Sequence, residues 1–239
     1  MNALKSFSLP PCIDQPDIDL VGLAIAGDGT AFSQIMRRYN RLLFRTARSI
    51  LKNDDDAQEV LQEAYLRAWR ALASFRADAR LSTWLVRIAI NEALGRLRSQ
   101  RGVEGRVVSL HAVPDSEVPT AEIQMPANPD DQPEYLLMRA QVRRQIEVRI
   151  DALPDAFRTV FMLRGVQEMS VEEVALALDI PEVTVRTRFF RARALLRKGL
   201  SDDIEAALPD AFSFAGQRCD RIVERVLIRM ARERKCSSS

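Results

Sequence analysis

The sequence has few of the residues on which most enzymes and metal sites depend. Its 239 residues include one histidine and three cysteines. Cys12, Cys219 and Cys236 are widely spaced and form no CxxC pair, so neither a zinc site nor a disulfide framework is predicted. His111 stands in a proline-rich stretch, and no nucleophile has a base at motif spacing. We therefore expect a protein that has no zinc site and is not an enzyme.

Long hydrophobic runs are also missing. No apolar run approaches the ~20 residues that a helix needs to cross a bilayer, and the N-terminus has one lysine and no sustained hydrophobic segment. These absences predict a cytoplasmic protein without membrane insertion. An apolar share of 47% and a charged share of 28% are typical of a globular chain. The net charge of +2 is almost neutral, so the distribution of charge along the chain says more about partners than the total.

The chain divides into two helical segments separated by a proline-rich stretch. Apolar residues recur at spacings of three and four on both sides of it, and no alternating stretch indicates a strand. The stretch has five of the eleven prolines, no aromatic side chain, and six acids against one arginine, which predicts an extended acidic linker.

The expected fold is all-α, with two small helical domains. The predicted segments are a flexible tail at 1–18, a first domain at 19–101, the linker at 102–133, a second domain at 134–200, and an amphipathic C-terminal extension at 201–239. Within the first domain, the predicted helices are 19–26, 31–51, 54–73 and 82–101.

The second domain contains the pattern of a helix-turn-helix, "MSVEEVALALDIPEVTVRTRFFRARALLRK". Ser170 and Glu173 are spaced as a capping box, which predicts a helix start. The sequence "DIP" interrupts that helix, and Pro181 favours the start of the next one. Two short helices joined by a tight turn can place the second in the DNA major groove. Helical hairpins also occur in ordinary all-α folds, so the spacing alone leaves DNA binding and a structural role equally open.

The second helix of this pair carries two adjacent phenylalanines in a row of cations. A rotation of ~100° per residue puts Phe189 on the inward stripe and points Phe190 outward. An arginine can donate two hydrogen bonds to guanine, and a ring can lie against a thymine methyl group. The alternative is that another helix, such as one in the C-terminal extension, covers Phe190. The outward residues that we expect to contact DNA are Arg186, Thr187, Phe190, Arg191 and Lys198.

Two helices of the first domain present charged or mixed faces. One carries a negative stripe, which suits a basic partner but, considered alone, is more typical of a solvated helix surface. The stripe consists of Asp56, Glu59, Gln62 and Glu63. The next helix has an aromatic, an amide and cations opposite its apolar stripe, a combination that suits single-stranded nucleic acid. These residues are Trp84, Arg87, Ile88, Asn91 and Arg98. The alternative, that the helix lies between two others and buries Trp84, stays open.

Five motifs, in this order, resemble the extracytoplasmic-function (ECF) group of bacterial RNA polymerase sigma factors. They are "AFSQIMRRYNRLLFRTARSIL", "DAQEVLQEAYLRAW", "STWLVRIAINEALGRLR", "LPDAFRTVFMLRGVQEMSVEEVALAL" and "PEVTVRTRFFRARALLRK". The resemblance spans about residues 30–200 and implies the two domains called region 2 and region 4. It implies core RNA polymerase and promoter DNA, both duplex and single-stranded, as partners. It also implies that an anti-sigma factor could restrain the chain. A stand-alone helix-turn-helix regulator, which would bind its duplex site without polymerase, is the competing hypothesis.

The resemblance also implies roles for individual residues. The acidic stripe would dock on the clamp helices of core polymerase. The loop 73–82, with Ser74, Phe75 and Arg76, would capture a base flipped from the minus-10 strand, and Asn91 would help to read that element. The outward residues of the last helix match those that face the minus-35 element in the major groove.

Three positions depart from the family pattern. Asp179 stands where the turn usually has glycine, which is tolerable because Asp accepts left-handed backbone geometry better than most residues. Val183 and Thr187 replace a common glycine and a common serine, which affects the expected DNA preference. The C-terminal extension lies outside the pattern, and we expect it to pack against another part of the chain.

Overall fold

The structure, a computed structural model, describes residues 15–102, 133–197 and 211–237. The described residues are helical apart from short connections, so the all-α prediction is confirmed. The helices are α1 (Asp17–Ile25), α2 (Gly29–Leu51), α3 (Asp54–Ala71), α4 (Leu81–Gly102), α5 (Pro133–Ala152), α6 (Asp155–Phe161), α7 (Val171–Leu178), α8 (Glu182–Arg197) and α9 (Gln217–Ser237). A 3₁₀ turn (Leu72–Ser74) follows α3, and a π-helical turn (Met162–Val166) follows α6.

Local caps account for the helix bounds. Asp28 accepts a hydrogen bond from the Thr30 amide and starts α2, two residues before the predicted start. Asn53 caps α3 in the same way by accepting from the amides of Asp55 and Asp56. Helix α1 begins at Asp17, directly after Pro16, so it takes in the last two residues of the predicted tail. The rest of that tail (1–14), the predicted linker between 103 and 132, and residues 198–210 lie outside the described residues.

Helices α1 to α4 form one unit around the long central helix α2. Phe32, Leu43 and Phe44 of α2 are buried in its core. The buried Tyr65 of α3 meets Phe32 edge to face and donates from its hydroxyl to the Met36 carbonyl at 3.0 Å. This bond satisfies the one polar atom that the Tyr65 ring carries into the core.

Helices α6, α7 and α8 pack on one another as the second unit, and α5 precedes them along the chain. The predicted capping box is present in both directions, with the Glu173 amide donating to the Ser170 hydroxyl at 3.1 Å and the Ser170 amide to the Glu173 carboxylate at 2.7 Å. Asp179 ends α7 with φ 54° and ψ 49°, so the left-handed turn predicted without glycine is confirmed. Helix α8 then starts behind Pro181, whose carbonyl accepts from the amides of Thr184 and Val185.

The two units touch each other, with α6 against α2 and α7 against α4. Arg158 of α6 is fully buried and donates to the backbone carbonyls of Ser49 on α2 and Leu153. Arg48 of α2 forms a two-point bond with Asp151 of α5, at 2.9 Å and 2.7 Å. The contact between the units therefore includes two arginines whose donors have partners.

The described part of the C-terminal extension packs on the first unit. Phe214 stacks on Phe44 with ring centroids 4.2 Å apart, and α9 lies against α2 and α3. The apolar side of α9 is buried at Ile222, Val226 and Met230. This matches the expectation that the extension packs against another part of the chain. Among the helices described, none is both long and apolar enough to cross a membrane.

Candidate nucleic-acid interface

Helix α8 separates its two phenylalanines as the sequence predicts. Val185 and Ala192 are completely buried, and Phe189 packs beside them with its ring 6.2 Å from that of Phe161. Phe190 is 72% exposed. The alternative in which the C-terminal extension covers Phe190 is therefore wrong for the part of the extension that the structure describes. The exposed ring is therefore accessible to a partner.

The cations predicted to flank Phe190 lie on the same outer face. Arg186 and Arg191 are exposed, and Arg186 donates to Glu182 one turn earlier at 2.6 Å. Exposed ion pairs at this spacing contribute only about 0.3–0.5 kcal/mol, so DNA phosphates or base edges can replace Glu182. Thr187 is exposed and donates its hydroxyl to the Val183 carbonyl at 2.8 Å. Lys198 lies outside the described residues.

The mixed face of α4 is also present. Arg87, Asn91 and Arg98 are exposed, whereas Trp84 and Ile88 are half-buried. The ring of Trp84 lies 5.4 Å from that of Phe75, in the loop before α4. The structure thus has part of each alternative. The amide and the cations of this face are exposed, and the Trp84 ring packs against Phe75.

The loop before α4 adds three predicted residues to this face. Ser74 and Arg76 are exposed and Phe75 is half-buried. The Ser74 hydroxyl donates to the Ala71 carbonyl at 2.6 Å, which fixes the first turn of the loop. Ala77 has φ 57°, an uncommon conformation for alanine, so the loop tip holds some backbone strain. The loop therefore presents Ser74 and Arg76 to solvent and its ring to Trp84.

The two candidate DNA faces belong to units that meet. Arg80, just before α4, is paired with Glu173 of α7 at 3.2 Å. Glu173 is the residue that completes the capping box at the start of the helix-turn-helix. An ion pair therefore joins the loop before α4 to the start of α7.

Arginines of two neighbouring helices, α4 and α9, form ion pairs with the acidic stripe of α3. Arg96 of α4 donates to Asp56 at 2.6 Å and lies 2.7 Å from the Glu59 carboxylate. The hydrogen bond to Asp56 raises the pKa of Arg96. On the other side, Arg229 of α9 donates to Glu63. Gln62 lies between them and is half-buried. The stripe is therefore one continuous face, with Glu59 and Glu63 its most exposed acids.

Sequence reasoning missed the inter-unit role of Arg158. Burial lowers the pKa of its guanidinium, and the group keeps its charge because it bonds to Asp155 at 2.8 Å as well as to backbone carbonyls. The one signal available was a cation within the apolar run "AFRTVFML". The partner on α2 is a main-chain oxygen, which no side-chain pattern reveals.

Two family models match the chain. Sigma-70 region 2 matches residues 35–103, and Sigma-70, region 4 matches residues 143–196. The first covers α3, α4 and most of α2, and the second covers the helix-turn-helix.

Curated relatives match over most of their length. RNA polymerase sigma-H factor of Pseudomonas aeruginosa is 32% identical over 191 residues, which cover 78% of this chain and 94% of the relative. ECF RNA polymerase sigma-E factor of Escherichia coli (strain K12) is 35% identical over 167 residues, which cover 70% and 85%. Among solved structures, CnrH in complex with the cytosolic domain of CnrY is similar with a TM-score of 0.51 and 25% identity, covering 82% of this chain and 99% of that one.

Proposed function

Because this chain belongs to the ECF group of bacterial RNA polymerase sigma factors, we propose that three faces divide its work in promoter-specific transcription initiation. The outer face of α8 reads the minus-35 duplex. The outer face of α4 and the loop before it hold the melted minus-10 strand. The acidic stripe of α3 docks on core RNA polymerase. We place region 2 at 19–101 and region 4 at 134–200, with the linker at 102–133 between them.

The exposure of Phe190 is the observation that carries this proposal. The exposed ring lies on the same outer face as Arg186 and Arg191, and this combination of an aromatic and two cations suits DNA. In a major groove, the ring can contact a thymine methyl group while the two arginines bond to bases and phosphates. Thr187 supplies a hydroxyl for either base edge, and Lys198 would extend the same face toward the backbone.

The minus-10 role of α4 is supported by its surface chemistry. Extruding a base costs a few kcal/mol of stacking energy, which contacts to the flipped base and the open strand must offset. Asn91 offers donors and an acceptor to a base edge, and Arg87 and Arg98 offer positive charge to phosphates. The rings of Phe75 and Trp84 are already paired, so opening the loop would present a stacking surface.

The docking role of α3 is supported by charge and exposure. Glu59 and Glu63 are exposed one turn apart on α3, and the half-buried Gln62 lies beside Glu63. Two exposed acids on one helix face are suited to a basic helix of a partner. We further propose that the protein works without covalent chemistry of its own, in the cytoplasm of its host. The likeness to CnrH, which was solved with the cytosolic domain of CnrY, supports the expectation of an anti-sigma factor as a further partner.

In vitro transcription tests the proposal. Bacterial core polymerase and this protein are incubated with fragmented genomic DNA, and the transcripts are sequenced. We expect start sites that share two upstream elements and that disappear without the protein. A pool that yields no start sites, combined with duplex binding by the protein alone, would instead indicate a stand-alone regulator.

A further inference from the structure

Helix α9 lies along the face of α3 that the acidic stripe occupies. Arg229 of α9 donates to Glu63, a member of the stripe. One turn further along α9, Glu233 accepts two bonds from Arg70 of α3, one of them at 3.0 Å. These two pairs run in opposite polarity, so they fix the orientation of α9 on α3 as well as its position.

Burial on the outer side of α3 supports the same arrangement. Leu66 follows Glu63 by three residues and Glu59 by seven, so all three lie on one side of the helix. Glu59 and Glu63 are exposed, yet Leu66 has 0% exposure. Helix α9 packs against α3, and its Ile222 and Val226 are buried. Apolar burial on α9 thus accompanies the ion pairs between α9 and α3.

The start of α9 is fixed to region 2 by a separate set of contacts. Phe214 stacks on Phe44, and the Arg218 guanidinium lies 4.9 Å from the centre of the Phe44 ring and 2.9 Å from the Asp54 carboxylate. The Asn40 side-chain amide lies 2.8 Å from the Cys219 sulfur. These contacts involve α2 and the start of α3, away from Glu63. The start of α9 can therefore stay attached while its second half leaves α3.

We propose that the second half of α9 is a built-in cover for the polymerase-docking face of α3, and that core polymerase must displace it to bind. The proposal rests on the assignment of that face under the proposed function. Each exposed ion pair is weak on its own, and the anchored start of α9 keeps the cover at a high local concentration. Opening the cover would also expose Met230 and release Arg234 from the Trp69 ring and the Gly27 carbonyl, so core polymerase must offset those contacts as well.

A charge exchange on α9 tests the cover without changing net charge. The variant R229E/E233R places an acid opposite Glu63 and a cation opposite Arg70, and it leaves α3 intact. The matched control R221E/E224R exchanges the same charges between two exposed residues on the far side of α9. Affinity for core polymerase is measured for each full-length protein with a label on the polymerase. We expect R229E/E233R to bind roughly 3- to 30-fold more tightly than the parent, and the control to match the parent.

A second comparison shows whether the gain comes from the α9 contact itself. E233R alone should tighten binding to core polymerase, and R70E/E233R, which restores the pair in reverse polarity, should return the affinity toward that of the parent. Hydrogen exchange supplies an independent readout. The amides of 225–235 should exchange faster in the complex with core polymerase than in the free protein.

The outcomes separate the cover from the docking assignment. Unchanged or weaker binding of R229E/E233R overturns the cover, as does equal protection of 225–235 in the free and bound protein. E59R tests the docking face directly, because Glu59 lies on the stripe but has no contact with α9 among those the structure shows. If E59R weakens core binding while R229E/E233R leaves it unchanged, the docking face stands and the cover fails. If E59R leaves core binding unchanged, the docking assignment fails, and the cover fails with it.

Discussion

Phe189 and Phe190 are adjacent on α8, and the structure places their rings in opposite environments. Phe189 packs 6.2 Å from Phe161, whereas Phe190 is 72% exposed. Side chains one residue apart on a helix are separated by ~100° of rotation, so a helix with one buried side must expose one of two adjacent rings. The division fits one ring that stabilises region 4 and one that is available to DNA.

Alanine substitutions of the two rings should therefore have different effects. F189A should lower the free energy of unfolding by about 2–4 kcal/mol, because it leaves a cavity beside Phe161. F190A should change it by less than about 0.5 kcal/mol and should weaken transcription from promoters with an intact minus-35 element. Urea denaturation and in vitro transcription measure the two effects. A large loss of stability in F190A would contradict the assignment of its ring to solvent and DNA.

The pair of Arg186 and Glu182 predicts a gain of function. Arg186 donates to Glu182 at 2.6 Å in the free protein, so DNA must compete with that carboxylate. E182Q should modestly tighten binding to a minus-35 duplex, whereas R186A should lose the roughly 1–3 kcal/mol of a base contact. Titration of labelled duplex with each variant checks this. R186A binding as tightly as the parent would remove Arg186 from the DNA contacts.

Loss of the capping box should destabilise region 4. S170A removes the acceptor for the Glu173 amide, and the expected cost is about 1 kcal/mol of unfolding free energy. S170T keeps a hydroxyl and should retain most of the stability. Urea denaturation of the three proteins at one pH gives the comparison. Equal midpoints for S170A and the parent would show that the box contributes little to α7.

Replacement of Arg158 should weaken the contact between the two units. R158M keeps much of the side-chain volume but leaves the Ser49 and Leu153 carbonyls without their donor. The expected cost is about 2–4 kcal/mol, since buried acceptors lose a charged partner. Faster hydrogen exchange in α2 near Ser49 and in α6 would locate the effect. R158K is the informative control, because it keeps the charge but loses the planar fork that reaches several oxygens.

The α9 contact should weaken in acid. The hydrogen bond from Arg70 lowers the pKa of Glu233 below its ordinary 4.5, with Arg229 acting in the same direction. A carboxylate whose pKa is lowered on folding stabilises above the ordinary value and loses that contribution as the pH falls through the folded value. Protection of α9 against hydrogen exchange, corrected for intrinsic rates, should thus be full near neutral pH and fall below about pH 4.5. In E233Q the pair cannot titrate, so the difference in α9 protection between parent and E233Q should vanish at low pH. A difference that persists there would show that Glu233 does not stabilise the contact.

The sequence was informative wherever a signal is local. The capping box, the left-handed Asp179 and the inward stripe of α8 each depend on spacings of four residues or fewer between neighbours, and the structure has all three. The observed helix ends differ from the predicted ones by a residue or two where the capping residue lies outside the apolar pattern, as at Asp28. The half-buried state of Trp84 could not be predicted, because it depends on how the preceding loop returns Phe75 to the helix.

The long-range contacts of the chain could not be predicted from patterns. Arg229 and Glu63 are each ordinary charges on an amphipathic helix, and only the folded chain brings them together. The amphipathic character of α9 indicated that it would pack somewhere, but the pattern does not specify the surface. The same limit applies to Arg158, whose partner on α2 is a backbone oxygen.

Because Arg158 bonds to a backbone oxygen of α2, the two sides of the contact between the units should tolerate substitution differently. Any amino acid at position 49 supplies the carbonyl that Arg158 needs, provided that its side chain fits the buried site, whereas no other residue at 158 has the same fork of donors. Variation on the α2 side should therefore proceed without matching changes on α6. A hybrid that joins this region 4 to the region 2 of a relative would keep this bond as long as it inherits Arg158, whatever small residue the relative has at position 49.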